Sequence, residues 1–329
     1  MFSGDFHIMA SLMEQFIVSF TVVTPFFLVM GLGWAMRRIR LVNEGVIAGI
    51  NKLVFFCFLP VTLFLNVYRA DLGSAFDLRL VGFFIISTLL FFLLLWFVGG
   101  RFMDKSKLGA FVQAGYRSNY VILATAIIGL LMGEEARPKT TLMIPFLVLT
   151  FSVLAAVVFV VNSKEAQGAK GAKAIGAVLL GILKTPLILG VCAGIVANLI
   201  NLPIPMFIGL SLSYVSDMAT PAALFGIGGV LSLEKVRQNL KLAIIATLVK
   251  NVLMPVCLII PAILLGFRGI DLAVIAMIAL TPTALVSYAT AVSMDGDGDL
   301  TTSCLVLSNA TALFTIVPAL AVLQALGLF

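Results

Sequence analysis

A single offset of 161 residues lays one half of this chain on the other. Thr24-Pro25-x-x-Leu28 falls on Thr185-Pro186-x-x-Leu189, Gly33 on Gly194, and Pro60-x-x-Leu63-Phe64 on Pro221-x-x-Leu224-Phe225, which makes 11 identities in the 41 ungapped positions from Thr24 to Phe64. The chain therefore reads as a duplication, to be folded as two copies of one unit. One stretch of the match is unlike its counterpart: Arg37-Arg38-Ile39-Arg40 stands against the uncharged Asn198-Leu199-Ile200-Asn201. Short basic loops between membrane spans stay cytoplasmic, so the two copies are expected to lie in opposite orientations.

The chain is 61% hydrophobic and 11% charged, where a soluble domain sits near one half and one quarter. A helix needs about 20 apolar residues to cross roughly 30 Å of hydrocarbon. Ten segments meet that length, near 15 to 36, 46 to 68, 79 to 100, 108 to 132, 141 to 162, 174 to 198, 206 to 232, 242 to 266, 271 to 293 and 300 to 327. The loops then sort by charge. One side collects twelve basic residues, in clusters around Arg38, Lys105, Lys170 and Arg237; the other collects five, Arg69, Arg79, Arg137, Lys139 and Arg268. The basic side is cytoplasmic by this count, so both termini are external and the protein is expected in the cell membrane. Ten helices divide into repeats 1–164 and 165–329, and because five is odd the second starts on the opposite side. The stretch from Asn162 to Ala174, rich in Gly, Ala and Lys, reads as a cytoplasmic linker.

The same charge pattern excludes nucleic acid as a partner, because the net charge of +6 is strung out between apolar runs and forms no patch. Cys57, Cys192, Cys257 and Cys304 all lie in apolar segments without paired spacing and read as small buried hydrophobes. With one histidine, His7, no metal site or metal cofactor is expected. The spacing Asp295-x-Asp297-x-Asp299 begins like a calcium loop, but Val306 stands where the bidentate Glu belongs, so it reads as a solvated turn. No phosphate-binding loop and no nucleophile with a base is present, which argues against an enzyme.

Lipid offers no hydrogen-bond partners, so a broken helix at membrane depth survives only where it is packed in protein or lines a cavity. The fourth segment is interrupted at Gly115-Tyr116-Arg117-Ser118-Asn119-Tyr120 and the ninth at Thr281-Pro282-Thr283, each about 12 residues in, or roughly 18 Å from its starting surface. Free N–H groups at such a break can hold an anion. Other intramembrane polar residues are read two ways. Asp217 is either a proton-coupling carboxylate or a buried acid bonded to Ser213, Ser216 or a lysine. Lys250 either balances a bound anion, pairs with Asp217 or snorkels to the surface. Arg117 either grips a carboxylate with its fork of donors or snorkels likewise.

In combination, certain residues are similar to a known family. Asn51-Lys52-Leu53-Val54 with Leu59-Pro60, Leu183-Lys184-Thr185-Pro186, Ser216-Asp217-x-x-Thr220-Pro221-x-x-Leu224-Phe225, Lys250 with Pro255, and Leu280-Thr281-Pro282 resemble the auxin efflux carrier family, whose members include bacterial malate and malonate permeases and the plant PIN carriers. The resemblance implies an all-α polytopic fold of ten helices in two inverted five-helix repeats, like the sodium/bile-acid symporters and sodium/proton antiporters. Helices 1, 2, 6 and 7 would form a scaffold, and helices 3 to 5 with 8 to 10 a mobile transport domain. Broken helices 4 and 9 would cross at the substrate, and a homodimer is implied. The family's crossover asparagine matches Asn119 and its crossover proline Pro282. Ser118 stands where plant members have proline, and the charged pair on helix 3 of the plant carriers has no counterpart between Leu80 and Phe97. These departures point away from auxin and toward another small carboxylate that uses Arg117.

The expectation is a secondary carrier of small organic anions working by elevator-type alternating access, with a proton as coupling ion. Asn119, Ser118, Arg117 and Tyr120 would hold the carboxylate, Thr281, Pro282 and Thr283 would complete the site, and Asp217 and Lys250 would serve coupling or charge balance. The alternatives are a sodium symporter of the bile-acid type, drawing on Asn119, Thr283 and Ser308 for ligands, and a sensor that keeps the fold without transport.

Overall fold

The computed structural model describes residues 24–69, 77–162 and 186–328. The segment starts drawn at 15 and 174, the linker beyond Asn162, and His7 lie outside these residues. Within them the chain is almost entirely helical: α1 (24–38), α2 (Glu44–Tyr68), α3 (Leu78–Phe102), α4 (Lys105–Tyr116), α5 (Thr125–Met132), α6 (Arg137–Asn162), α7 (Pro186–Leu199), α8 (Met206–Asp217), α9 (Ala219–Val230), α10 (Leu233–Gln238), α11 (Leu240–Leu264), α12 (Gly269–Leu280), α13 (Val286–Ser293) and α14 (Gly298–Ala325). Four stretches are long and apolar enough to cross a bilayer: α2, α3, residues Leu142–Asn162 of α6, and α11. α14 joins them if its 44° bend between Ala312 and Phe314 falls within one span. Such a chain is a multi-pass membrane protein.

The helices begin where short polar side chains can take up free N–H groups. Asn43 accepts from Val46 N at α2, Asp77 from Arg79 N and Leu80 N at α3, and Asp297 from Leu300 N at α14. The acidic stretch before α14, read from the sequence as a solvated turn, caps that helix through Asp297. Burial separates wall from interior. α3 turns Ile86, Leu90, Leu93 and Leu94 outward, as a helix does when lipid is its solvent. α12 buries every residue from Leu272 to Leu280, and α4 every residue from Leu108 to Tyr116. A helix buried all round lies inside the bundle.

The 161-residue offset recurs bond for bond in the backbone. α1 ends with Leu41 N donating to Met36 O at 3.0 Å and Arg40 N to Arg37 O at 3.1 Å; α7 ends with Leu202 N donating to Ala197 O at 2.9 Å and Asn201 N to Asn198 O at 3.0 Å. Arg40 and Asn201 are both left-handed, at φ 62° and 49°, the conformation that turns the chain and satisfies the last carbonyls. Side chains follow suit: Arg37 Nη1 donates to Gly229 O at 3.4 Å, and Asn198 Nδ2, one offset later, donates to Tyr68 O at 2.8 Å.

Glycine lets these helices touch backbone to backbone. A Cβ on Gly194 would lie 2.7 Å from Phe64 O and 3.0 Å from Val67 Cβ; one on Gly33 would lie 3.0 Å from the carbonyl carbon of Phe225. Gly33 and Gly194 are offset equivalents, as are Phe64 and Phe225, so one close contact is made twice. Without a hydrophobic drive between helices in lipid, such small-residue contacts are a main source of association. Contacts of Gly190 with Pro60, Gly194 with Phe64 and Asn198 with Tyr68 run in step, so α7 lies parallel to the second half of α2. Gly33→Val and Gly194→Val are each expected to destabilise the protein by about 1–3 kcal/mol through overpacking, lowering its thermal midpoint in detergent. Gly31→Val, with open space around its Cβ, is expected to leave the midpoint unchanged.

Candidate functional site

The two interruptions meet. α4 stops at Tyr116 and α12 at Leu280, and Arg117 (φ −81°, ψ 110°) and Thr281 (φ −65°, ψ 140°) leave them extended. Ser118 and Thr283 then face each other in an antiparallel bridge. Asn119 N donates to Pro282 O at 2.8 Å and Ala284 N to Arg117 O at 3.0 Å. Each side chain of the bridge reaches into the opposite helix end: Thr283 Oγ1 donates to Ala114 O at 2.8 Å, and Ser118 Oγ to Ile278 O. These are the terminal carbonyls that a stopped helix leaves without partners. Four donors from the two strands thus serve four acceptors, two of them at the helix ends. α14 supports the crossing from behind. Ser308 Oγ accepts from Thr283 N at 3.3 Å and Asn309 Nδ2 donates to Thr283 O at 3.2 Å.

Two cations lie beside the crossing. Lys250, in a wide π turn of α11, is fully buried; its Nζ donates to Ala279 O at 2.7 Å and lies 3.2 Å from Met254 Sδ. It therefore neutralises the negative end of α12. It does not snorkel, and it does not pair with Asp217. Arg117 is buried too, at 4% exposure, with Nη1 donating to Thr290 Oγ1 at 3.3 Å. The Gln113 amide, turned by its neighbours so that its oxygen faces Arg117, accepts from Nη1 at 2.9 Å while its nitrogen donates to Ser287 O at 3.1 Å. Among the described residues no Asp or Glu is buried. Taking an ion out of water costs several kcal/mol without a counter-charge, and here two basic side chains share one apolar interior.

A cavity of about 130 Å³ opens against the crossing. Arg117, Ser118, Asn119 and Tyr120 line it from one side, and Thr62 and Asn66 of α2 with Thr220 of α9 from the other. Asn119 Nδ2 is buried there with no hydrogen-bond partner, although a buried donor left unpaired costs about 1–3 kcal/mol. Thr281, Pro282 and Thr283 belong to the crossing but not to the cavity wall; the ninth interruption contributes Ala284, Leu285 and Val286 instead. Tyr120 is buried with its hydroxyl on Thr140 O at 3.2 Å. Asp217 ends α8 with its side chain exposed, where a buried acid near the midplane was expected. The reason is the helix break at Met218: Asp217 stays on α8, none of whose residues is buried, while α9 carries the buried face from Ala219 onward. The sequence reading passed over Thr62 and Asn66. Their signal was an i, i+4 polar pair just after Pro60, on one face of an otherwise apolar helix.

An apolar multi-pass chain whose buried core is two interrupted helices, joined beside an interior cavity, has the build of a membrane transporter, not an enzyme. The family model described as membrane transport protein matches residues 18–318, and the chain belongs to that family, the auxin efflux carriers its residues resembled. An uncharacterized transporter of Methanothermobacter thermautotrophicus is 24% identical over 305 residues, covering 90% of this chain and 95% of that protein. Thr283→Val removes one crossing donor and strands the Ala114 carbonyl; it is expected to cost about 1–3 kcal/mol. Thr283→Ser, which keeps the hydroxyl, is expected to restore most of that loss in the same thermal-unfolding measurement.

Proposed function

We propose that this transporter carries a small organic carboxylate, and that the crossing of the fourth and ninth spans is where the anion is held. One observation carries the reading: Asn119, whose buried Nδ2 has no hydrogen-bond partner, lines a small cavity together with the buried Arg117, and no carboxylate is buried among the described residues. A carboxylate entering it would give Asn119 its acceptor and Arg117 its counter-charge. At about 130 Å³ the space lies well below the roughly 300 Å³ where drug-sized pockets begin, so a short aliphatic mono- or dicarboxylate fits better than an aromatic acid. Ser118, Thr62, Asn66 and Thr220 would orient it. Thr281, Pro282 and Thr283 would act indirectly, by holding the crossing.

Alternating access by an elevator movement follows from the same reading. The doubled contacts of α1 with α9 and of α2 with α7 support a static scaffold, against which the elements from α3 to α6 and from α11 to α14 would slide. α7 runs parallel to the second half of α2, and the short α1–α2 turn sets those two helices antiparallel, so α7 opposes its equivalent α1. That supports two inverted repeats, 1–164 and 165–329, of five spans each, with both termini external in the cell membrane. A homodimer would join through the scaffold. Coupling to a proton fits better than coupling to sodium, because the buried Arg117 guanidinium at the crossing repels a further cation there.

Proteoliposomes containing the purified protein are expected to take up labelled malonate or malate equally well with and without sodium, and faster under an imposed proton gradient. Asn119→Ala should lower carboxylate affinity at least about tenfold, the worth of one charge-assisted hydrogen bond, with the thermal midpoint retained. Unchanged affinity in that variant would remove Asn119 from the site; a strict sodium requirement would replace the coupling ion.

A further inference from the structure

Away from the crossing, a second hollow of about 620 Å³ runs between α3 and α11 on the outer wall of the bundle. Along α3 it is lined by Arg79, Phe83, Ile86, Leu90 and Leu94, spaced at four, three, four and four residues, which is one stripe of a helix. From Arg79 to Leu94 that stripe is roughly 22 Å long at 1.5 Å per residue. Half of a bilayer is roughly 20–22 Å deep once the headgroup region is counted with the hydrocarbon. The groove therefore runs one leaflet deep, with its only lining charge at the end where α3 begins.

That end is built rigidly. Arg79 donates through Nη2 to the carbonyl of Leu265, just past the end of α11, and its guanidinium carbon stands 4.4 Å from the centre of the Phe267 ring. Phe267 in turn packs against Phe83 at 5.1 Å between ring centres. Held on a carbonyl and a ring face, the guanidinium is fixed at the groove's mouth, and the residue is exposed. The acids nearby are committed elsewhere: Asp77 caps α3 and lies 3.8 Å from Lys139 Nζ, and Asp271 pairs with Lys139. Arg268, next to Phe267, adds a second positive charge, its Nη1 on the carbonyls of Ile263 and Phe267. Among the described residues no acid pairs with Arg79 at the mouth of this apolar trough.

We propose that this groove is a specific site for one anionic phospholipid, its phosphate on Arg79 and one acyl chain along Ile86, Leu90 and Leu94. The site does not depend on what the crossing transports. Arginine matches a phosphate with a fork of two donors; the trough below contributes apolar burial and no headgroup preference.

The test is native mass spectrometry of the intact protein mixed with equal amounts of phosphatidylglycerol and phosphatidylcholine of matched chains. Wild type is expected to retain one phosphatidylglycerol with about a tenfold preference, the worth of one hydrogen bond to a charged group. Arg79→Gln should reduce the preference to near one while lipid is still retained. Leu90→Trp, which fills the trough at an exposed position, should lower retention of both lipids. No preference in wild type, or an unchanged preference in Arg79→Gln, overturns the proposal. Displacement by glycerol 3-phosphate as effective as by the lipid would also overturn it, since the site would then read free phosphate and not a membrane lipid.

Discussion

Two hydrogen bonds at the crossing, Asn119 N to Pro282 O and Ala284 N to Arg117 O, hold up the rest of this molecule. In hydrocarbon an interrupted helix exposes backbone groups that nothing around it can satisfy. Here each interruption satisfies the other. The bridge is as small as a strand pairing can be, yet it lets α4 and α12 stop in the interior and end face to face. Proline at 282 suits this arrangement, because the missing N–H is one the bridge does not use while the carbonyl is one it does. Ser118 and Thr283 then direct their hydroxyl hydrogens to carbonyls of the opposite helix end, which explains why the crossing needs hydroxyl side chains.

Around that centre, rigidity and looseness are distributed unevenly. The contacts of α1 with α9 and of α2 with α7 bring glycine against backbone and leave no room for a side chain. Such surfaces lock in one register, because sliding by a residue would drive a Cβ into a carbonyl. The crossing, by contrast, faces α2 and α9 across a cavity. One face of α2 is thus fused to α7, and the other meets the core around a small cavity, beside which Leu224 packs on Leu285.

Much of this was legible in the sequence, and the exceptions share a cause. The breaks at Gly115 to Tyr120 and at Thr281 to Thr283 announced themselves as polar or proline-bearing runs inside apolar segments. The matching ends of α1 and α7 announced themselves through the 161-residue offset, because matched prolines and glycines report backbone geometry and not surface. What stayed hidden depends on which way a helix faces. Asp217 was read as a buried acid and is exposed, since the turn at Met218 separates it from the buried face that follows. Cys57 and Cys192, read as buried, are exposed on the bundle wall, where lipid and protein interior are equally apolar and hydropathy cannot tell them apart. Lys250 was left open between surface and interior for the mirror reason: its long stem reaches either, and only the carbonyl of Ala279 decides.

The crossing also sets a schedule for making the protein. Asn119 and Pro282 are 163 residues apart in the chain, and at about 5–20 residues per second the ribosome needs on the order of ten seconds to get from one to the other. Throughout that interval the first half is already long enough to enter the membrane, but its interrupted helix has no partner for the Asn119 amide or the Arg117 carbonyl. The newborn half must keep that gap wet, or against the insertion machinery, until the second half arrives. A doubled architecture therefore carries a cost in biogenesis: neither copy can finish folding in the bilayer alone.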